Sequence, residues 1–108
     1  MDVIKEYILK PDGDKEITVK MPAGSNILSL VTRHQDIVLC CAGNSKDPEV
    51  IRTFKIFASD QEVIREENTL LMPVGTVVYP HGKDSKTGAV VFQLFHVFEI
   101  EYYDPKKK

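Results

Sequence analysis

One stretch near the end of the chain constrains the fold more than any other: residues 89–103, AVVFQLFHVFEIEYY, contain neither glycine nor proline and are rich in β-branched and aromatic side chains. With the period of two of an extended strand, Val90, Phe92, Leu94, His96, Phe98, Ile100 and Tyr102 share one face. Val91, Gln93, Phe95, Val97, Glu99, Glu101 and Tyr103 share the other. Fully extended, the run spans about 50 Å at roughly 3.3 Å per residue. A compact domain of this size has a radius of gyration near 13 Å and hence a diameter of only about 34 Å. A strand that long must bend at a bulge, pass from one sheet into another, or project towards a partner.

The remaining pattern is also β. Residues 3–9 predict a first strand, and residues 11–14 (PDGD) a turn, since proline presets φ and glycine accepts positive φ. Residues 16–21 alternate cleanly, with Ile17, Val19 and Met21 on one face, so the first two strands are expected to form a hairpin. Further strands are expected at residues 27–33, at 36–42 as a central strand, and at 51–58, where Arg52, Phe54, Ile56 and Ala58 share a face. Residues 43–49 and 80–88 predict loops, the second of them a mobile hairpin loop. Residues 60–68 predict a loop or a single helical turn. Pro73 and Gly75 interrupt residues 70–79, which predicts a kinked segment with a strand only at 76–79. No long segment has a helical period. The expected fold is all-β: one domain over residues 1–105, an antiparallel β-sandwich or open barrel with a long C-terminal strand, followed by a basic tail at 106–108.

The charge balance narrows the partners. A formal net charge of −2 argues against binding long nucleic acid through its backbone. The apolar runs are too short to cross a bilayer, and the three tail lysines have no apolar anchor beside them, so no membrane association is expected. The start of the chain does not have the pattern of a secretory signal. Cys40 and Cys41 are adjacent, so on a strand they point to opposite faces; two reduced thiols in a cytoplasmic protein are expected.

Catalytic signatures are missing from the sequence. His34, His81 and His96 stand at no metal-ligand spacing, and no nucleophile, zinc or phosphate-loop motif occurs. Neither catalytic residues nor a metal or other cofactor is expected. The residues best suited to bind a ligand are cations beside aromatics. Arg52 shares a face with Phe54, which suits a base and its phosphate, although a solvated arginine at a strand end has the same pattern. Arg33 and His34 close a strand as a second small basic site. Tyr79 offers a ring for stacking, as half-buried tyrosines in many sheets do. His96, among Phe92, Leu94 and Phe98, is either a ligand contact or a hydrogen-bonded core or interface histidine.

Several segments also resemble a family. Residues 21–30 (MPAGSNILSL) resemble an "MPxGAxILSV" segment of small proteins from tailed phages and bacterial prophages. Residues 52–57 (RTFKIF) are similar to that family's "RRFRIYG" strand, residues 74–77 (VGTV) to its "YIGTF" element, and residues 91–99 (VFQLFHVFE) to its closing "LVFHVFE". The likeness covers residues 17–99. The family's "GTGHPI" turn is replaced here by residues 58–64 (ASDQEVI), and its Gly-Gly before the last motif by Gly88-Ala89, so a contact made by that turn does not carry over.

The resemblance implies a phage immune-evasion protein in the cytoplasm of an infected bacterium. Such a protein would sequester the cyclic di- or trinucleotide messengers of anti-phage defence (CBASS) without cleaving them. A sponge of this kind needs aromatics and a few cations around a preorganised pocket, most simply between subunits of a homo-oligomer. Arg52, Arg33, His96 and Tyr79 are the expected contacts, with Phe54 stacking. The competing expectation is a non-enzymatic β-sandwich module that binds a host or virion protein through a sheet edge or apolar patch. A nucleotide-cleaving enzyme is disfavoured by the missing acid–base and metal constellations.

Overall fold

A computed structural model describes residues 1–11 and 15–103, except for the side chain of His81. The basic tail and most of the expected turn at 11–14 therefore lie outside the described residues. Seven strands follow in chain order: β1 (Val3–Leu9), β2 (Ile17–Pro22), β3 (Asn26–Arg33), β4 (Asp36–Gly43), β5 (Glu49–Ala58), β6 (Thr69–Lys83) and β7 (Val90–Tyr102). They build two antiparallel sheets, one of order β1-β4-β3 and one of order β2-β5-β7-β6, packed as a sandwich.

The expected β1–β2 hairpin does not form. β1 pairs with β4, from Val3 opposite Gly43 to Leu9 opposite Ile37, whereas β2 pairs with β5 in the other sheet. Alternation told correctly which side chains of β2 face inward: Val19 and Met21 are buried and Ile17 packs on the core. It carries no information about the neighbouring strand, and residues 10–16 are long enough to cross between sheets. The central position expected for β4 is found: Ile37, Val38 and Leu39 are all fully buried.

The core lies between the sheets. Leu9, Ile37, Leu39 and Cys41 from one sheet meet Val19, Met21, Phe54, Ile56, Val77 and Val97 from the other. Burying such side chains stabilises the fold by about 1.5–3 kcal/mol each. One glycine is required by close packing. A Cβ on Gly43 would stand 2.2 Å from the Ser25 hydroxyl, which is buried and donates to the Pro22 carbonyl at 2.6 Å.

β6 corrects a second expectation. In place of a kinked segment with a strand at 76–79, one strand runs from Thr69 to Lys83. The interruption at Pro73 and Gly75 is absorbed as a register shift against β7. β6 is an edge strand, where a missing backbone N–H is tolerated. The strand also takes up the first part of the expected loop 80–88, leaving a compact turn closed by Asp84 N–H to Ala89 C=O at 2.8 Å and Gly88 N–H to Asp84 C=O at 2.9 Å. Residues 60–68 form no helical turn.

The long strand resolves its excess length by projecting. β5 pairs with β7 only from Thr53–Ile100 to Ala58–Phe95, whereas β6 follows β7 to its beginning. The far end of the β6–β7 hairpin thus leaves the four-stranded sheet as a two-stranded arm. The radius of gyration is 15.9 Å and the extents are 55 × 36 × 16 Å, against about 13 Å for a compact domain of this length.

Candidate functional site

The five side chains singled out by sequence do not converge within one chain. Phe54 is fully buried between the sheets, so it has no free ring face for a ligand, and its expected stacking role is corrected. The shared face with Arg52 is real, but it is the core-facing one.

Arg52 sits at the edge of that core and is occupied. Its Nε donates to Glu99 Oε2 at 2.5 Å and its Nη2 to Glu99 Oε1 at 2.6 Å, a bidentate pair, while Nη1 donates to the Ser25 carbonyl at 2.7 Å. The hydrogen bond to Glu99 raises the guanidinium pKa further, against the opposing effect of burial. An open groove of about 430 Å³ beside it is lined by Arg52 with Glu99 and Glu101. Two carboxylates against one guanidinium that is already paired make this groove a poor host for a phosphodiester. Sequence reasoning missed Glu99 because an acid on the Phe95–Val97 face becomes meaningful only once the register places it diagonally to Arg52.

His96 lies on the opposite, outer face of the same sheet. Its Nε2 is 2.9 Å from Ser59 Oγ and its Nδ1 is 2.9 Å from Thr76 Oγ1. A hydroxyl both donates and accepts, so the two together satisfy either neutral tautomer. With both nitrogens engaged, the ring ties Ser59, the first residue of the 59–68 segment, to β6 across this face. There Ile64 and Glu66 border a crevice shared with Lys55, Leu71 and Ile100, and Phe57 and Phe98 meet edge to face.

Tyr79 reaches the β3–β4 turn, but Arg33 does not meet it there: its pairing with Glu6 holds the Arg33 side chain on the outer face of the three-stranded sheet, whereas Tyr79 packs on the core side. Tyr79 donates its hydroxyl to the Gln35 carbonyl at 2.5 Å and meets Phe95 edge to face, with ring centroids 5.2 Å apart. That turn carries Arg33 and His34, both exposed, and His34 adopts a φ of 58°. Arg33 is held by Glu6 at 2.7 Å, with about half of each side chain in solvent. An exposed pair of this kind contributes only about 0–1 kcal/mol, so Arg33 exchanges Glu6 for another anion at small cost.

Opposite Tyr79 in the ladder stands Gln93, which sequence reasoning passed over. Among the described residues, its Oε1 is the buried side-chain polar atom without a hydrogen-bond partner. Leaving a buried acceptor unmatched costs about 1–3 kcal/mol and marks a position that needs an explanation. Tyr79 and Gln93 thus stand side by side where the turn meets the base of the arm, while His34 lies in the turn itself and Arg33 on the outer face of its sheet.

Neither cysteine suggests chemistry. Cys40 is half-buried and Cys41 is buried, both free, and burial pushes the Cys41 thiol up despite nearby Arg52. Among the described residues, no cluster of three or more His, Cys, Asp or Glu is arranged to hold a metal ion, and no helix is long and apolar enough to cross a membrane. Comparisons with protein-family models, with curated proteins and with solved structures give no match for this chain.

Proposed function

We propose that this chain acts by binding rather than catalysis, sequestering a cyclic di- or trinucleotide messenger at the β3–β4 turn, as a phage immune-evasion protein does. The observation that carries the reading is a half-buried aromatic, Tyr79, bonded to the β3–β4 turn that also carries the exposed Arg33 and His34. A phosphate calls for a cation and a base for a ring. The ligand class is supported by the resemblance of residues 17–99 to the phage and prophage proteins. Arg52 and Phe54 leave the list of contacts, since one is bound to Glu99 and the other is buried; His96 acts as a polar pin. A pocket large enough for a cyclic oligonucleotide is completed by a second copy beside the turn.

The test is a thermal shift measurement with a panel of cyclic di- and trinucleotides, followed by heat release and analysis of the ligand. A stabilising shift with intact ligand recovered supports sequestration. Arg33→Ala should weaken that binding at least tenfold without changing the melting point of the free protein. Degraded ligand would make the protein an enzyme. No shift with any nucleotide removes the reading.

A second reading, a protein-interaction module, is favoured by the exposed Ile4, Ile8, Leu28 and Val31 of the three-stranded sheet. It takes precedence if the nucleotide panel is silent and a partner protein is retained through that sheet.

A further inference from the structure

The β6–β7 arm leaves a strand edge open where no charge protects it. Ser59 N–H donates to the Leu94 carbonyl at 3.2 Å, among the described residues the last backbone bond on the β5 side of β7. Backbone groups alternate along an antiparallel strand, so Phe92 and Val90 direct theirs to the same side, beyond the end of β5. On the other side, Phe92 stands opposite Pro80 in a pair that exchanges no backbone hydrogen bonds. Folded proteins usually guard such edges with charges, prolines or a covering segment. Here residues 89–98 contain no Asp, Glu, Lys or Arg, and the nearest charge on β6 within the arm is Lys83, opposite Val90.

The arm is also apolar on both faces. Val78 is 53% exposed, Val90 48%, Val91 44%, Phe92 61% and Leu94 44%. From ordinary side-chain areas these five expose roughly 400 Å² of apolar surface, as much as the largest patch of a typical monomer.

We infer that two copies of this chain associate through the arm, the β7 edge of one pairing antiparallel with the β7 edge of the other about a two-fold axis near Val91. In this register Val90 of one copy lies opposite Phe92 of the other, and the two exchange backbone hydrogen bonds at both ends of the short ladder. The two four-stranded sheets become one continuous sheet, and the Val90 and Phe92 side chains pack across the axis. Three features select a second copy as the occupant. A two-fold pairing of one segment with itself is self-complementary by construction. An uncharged edge lets two chains of equal net charge approach without repulsion at the contact. The side chains that flank the axis, Val90, Phe92 and Leu94, are apolar and exposed on one face, so pairing brings each against apolar counterparts of the other copy.

The inference goes beyond the nucleotide reading and stands without it, because the edge is open whether or not a ligand binds at the turn. The test is light scattering and sedimentation of the full chain across micromolar concentrations, without nucleotide. Wild type should show a mass of twice 12.2 kDa. Phe92→Lys, at an exposed position that leaves the core untouched, should weaken association at least 100-fold with an unchanged circular dichroism spectrum. Ile8→Lys, on the outer face of the other sheet, should leave the dimer intact. Exchange of the Val90 and Phe92 amide protons should slow at least tenfold between dilute and concentrated wild type. A wild-type monomer at all concentrations overturns the inference. So does a dimer that survives Phe92→Lys, or amide protons whose exchange ignores concentration.

Discussion

The two halves of β7 share one strand and one partner in β6, yet they lead different lives. From Phe95 to Ile100 the strand runs between β5 and β6, and Val97 and Ile100 are buried. From Val90 to Leu94 it has β6 alone, and Val90, Val91, Phe92 and Leu94 are all exposed. Nothing in the alternation of apolar residues marks the change. It occurs where β5 ends at Ala58 and the chain turns away through Asp60, which adopts a φ of 69°. Apolar sequence therefore states a demand for cover, and the neighbouring element decides whether the same chain meets it.

The comparison breaks most sharply in the core. Phe54→Ala, which opens a cavity between the sheets, should cost about 3–5 kcal/mol in urea unfolding, whereas Phe92→Ala on the arm should change monomer stability by less than about 0.5 kcal/mol. Comparable losses at both positions would mean that the arm is packed within a single chain.

The two arginine pairs extend the contrast. Glu99→Ala leaves Arg52 half-buried beside Ser25 with its bidentate partner gone. The expected loss is about 2–3 kcal/mol, below that of a fully buried broken pair because both groups keep some solvent. Glu6→Ala, which frees the exposed Arg33, should cost less than about 0.5 kcal/mol by the same denaturant titration. Equal losses would contradict the difference in burial between the two pairs.

A third variant addresses the outer face. Ser59→Ala removes the hydroxyl from His96 Nε2 and should destabilise the fold by about 1 kcal/mol. It should also speed amide exchange within residues 59–68, the segment whose first residue the ring ties to β6. Unchanged exchange there would leave His96 without the pinning role.

The smallest effect belongs to the tip of the arm. The amides of Thr87 and then Lys86 hold the Asp84 carboxyl below its ordinary value. A group whose pKa falls on folding stabilises fully above its unfolded value, near 3.9, and loses that contribution as pH drops through the lower folded value. Carboxyl chemical shifts should therefore place the Asp84 midpoint below about 3.9, with exchange of the Thr87 amide accelerating only under more acidic conditions. A midpoint at or above the ordinary value would show that this turn is not formed in solution.

Much of the fold was legible in the chain. Strands at residues 27–33, 36–42 and 51–58, the inward set Ile17, Val19 and Met21, and the all-β architecture followed from period-two alternation and turn residues. The site was legible only in part. Arg33, His34 and Tyr79 were visible as residue types, but the docking of Tyr79 on their turn depends on its hydrogen bond to Gln35, and the turning of Arg33 to the outer face on Glu6, both between residues far apart in the chain. Gln93 was passed over because an isolated glutamine in a strand has no signature until its acceptor is found buried and unmatched.

By itself, the sequence determined that the chain is a β protein, that its last strand is longer than a compact domain accommodates, and which side chains share a face. These are local consequences of sterics and of a period fixed at two. The tertiary structure alone decided that β1 and β2 belong to different sheets, that Arg52 is committed to Glu99, and that the excess length of β7 becomes a projecting arm. Each of those depends on strand order and register, which are set by contacts between residues distant in the chain and leave no mark on the alternation of any single strand.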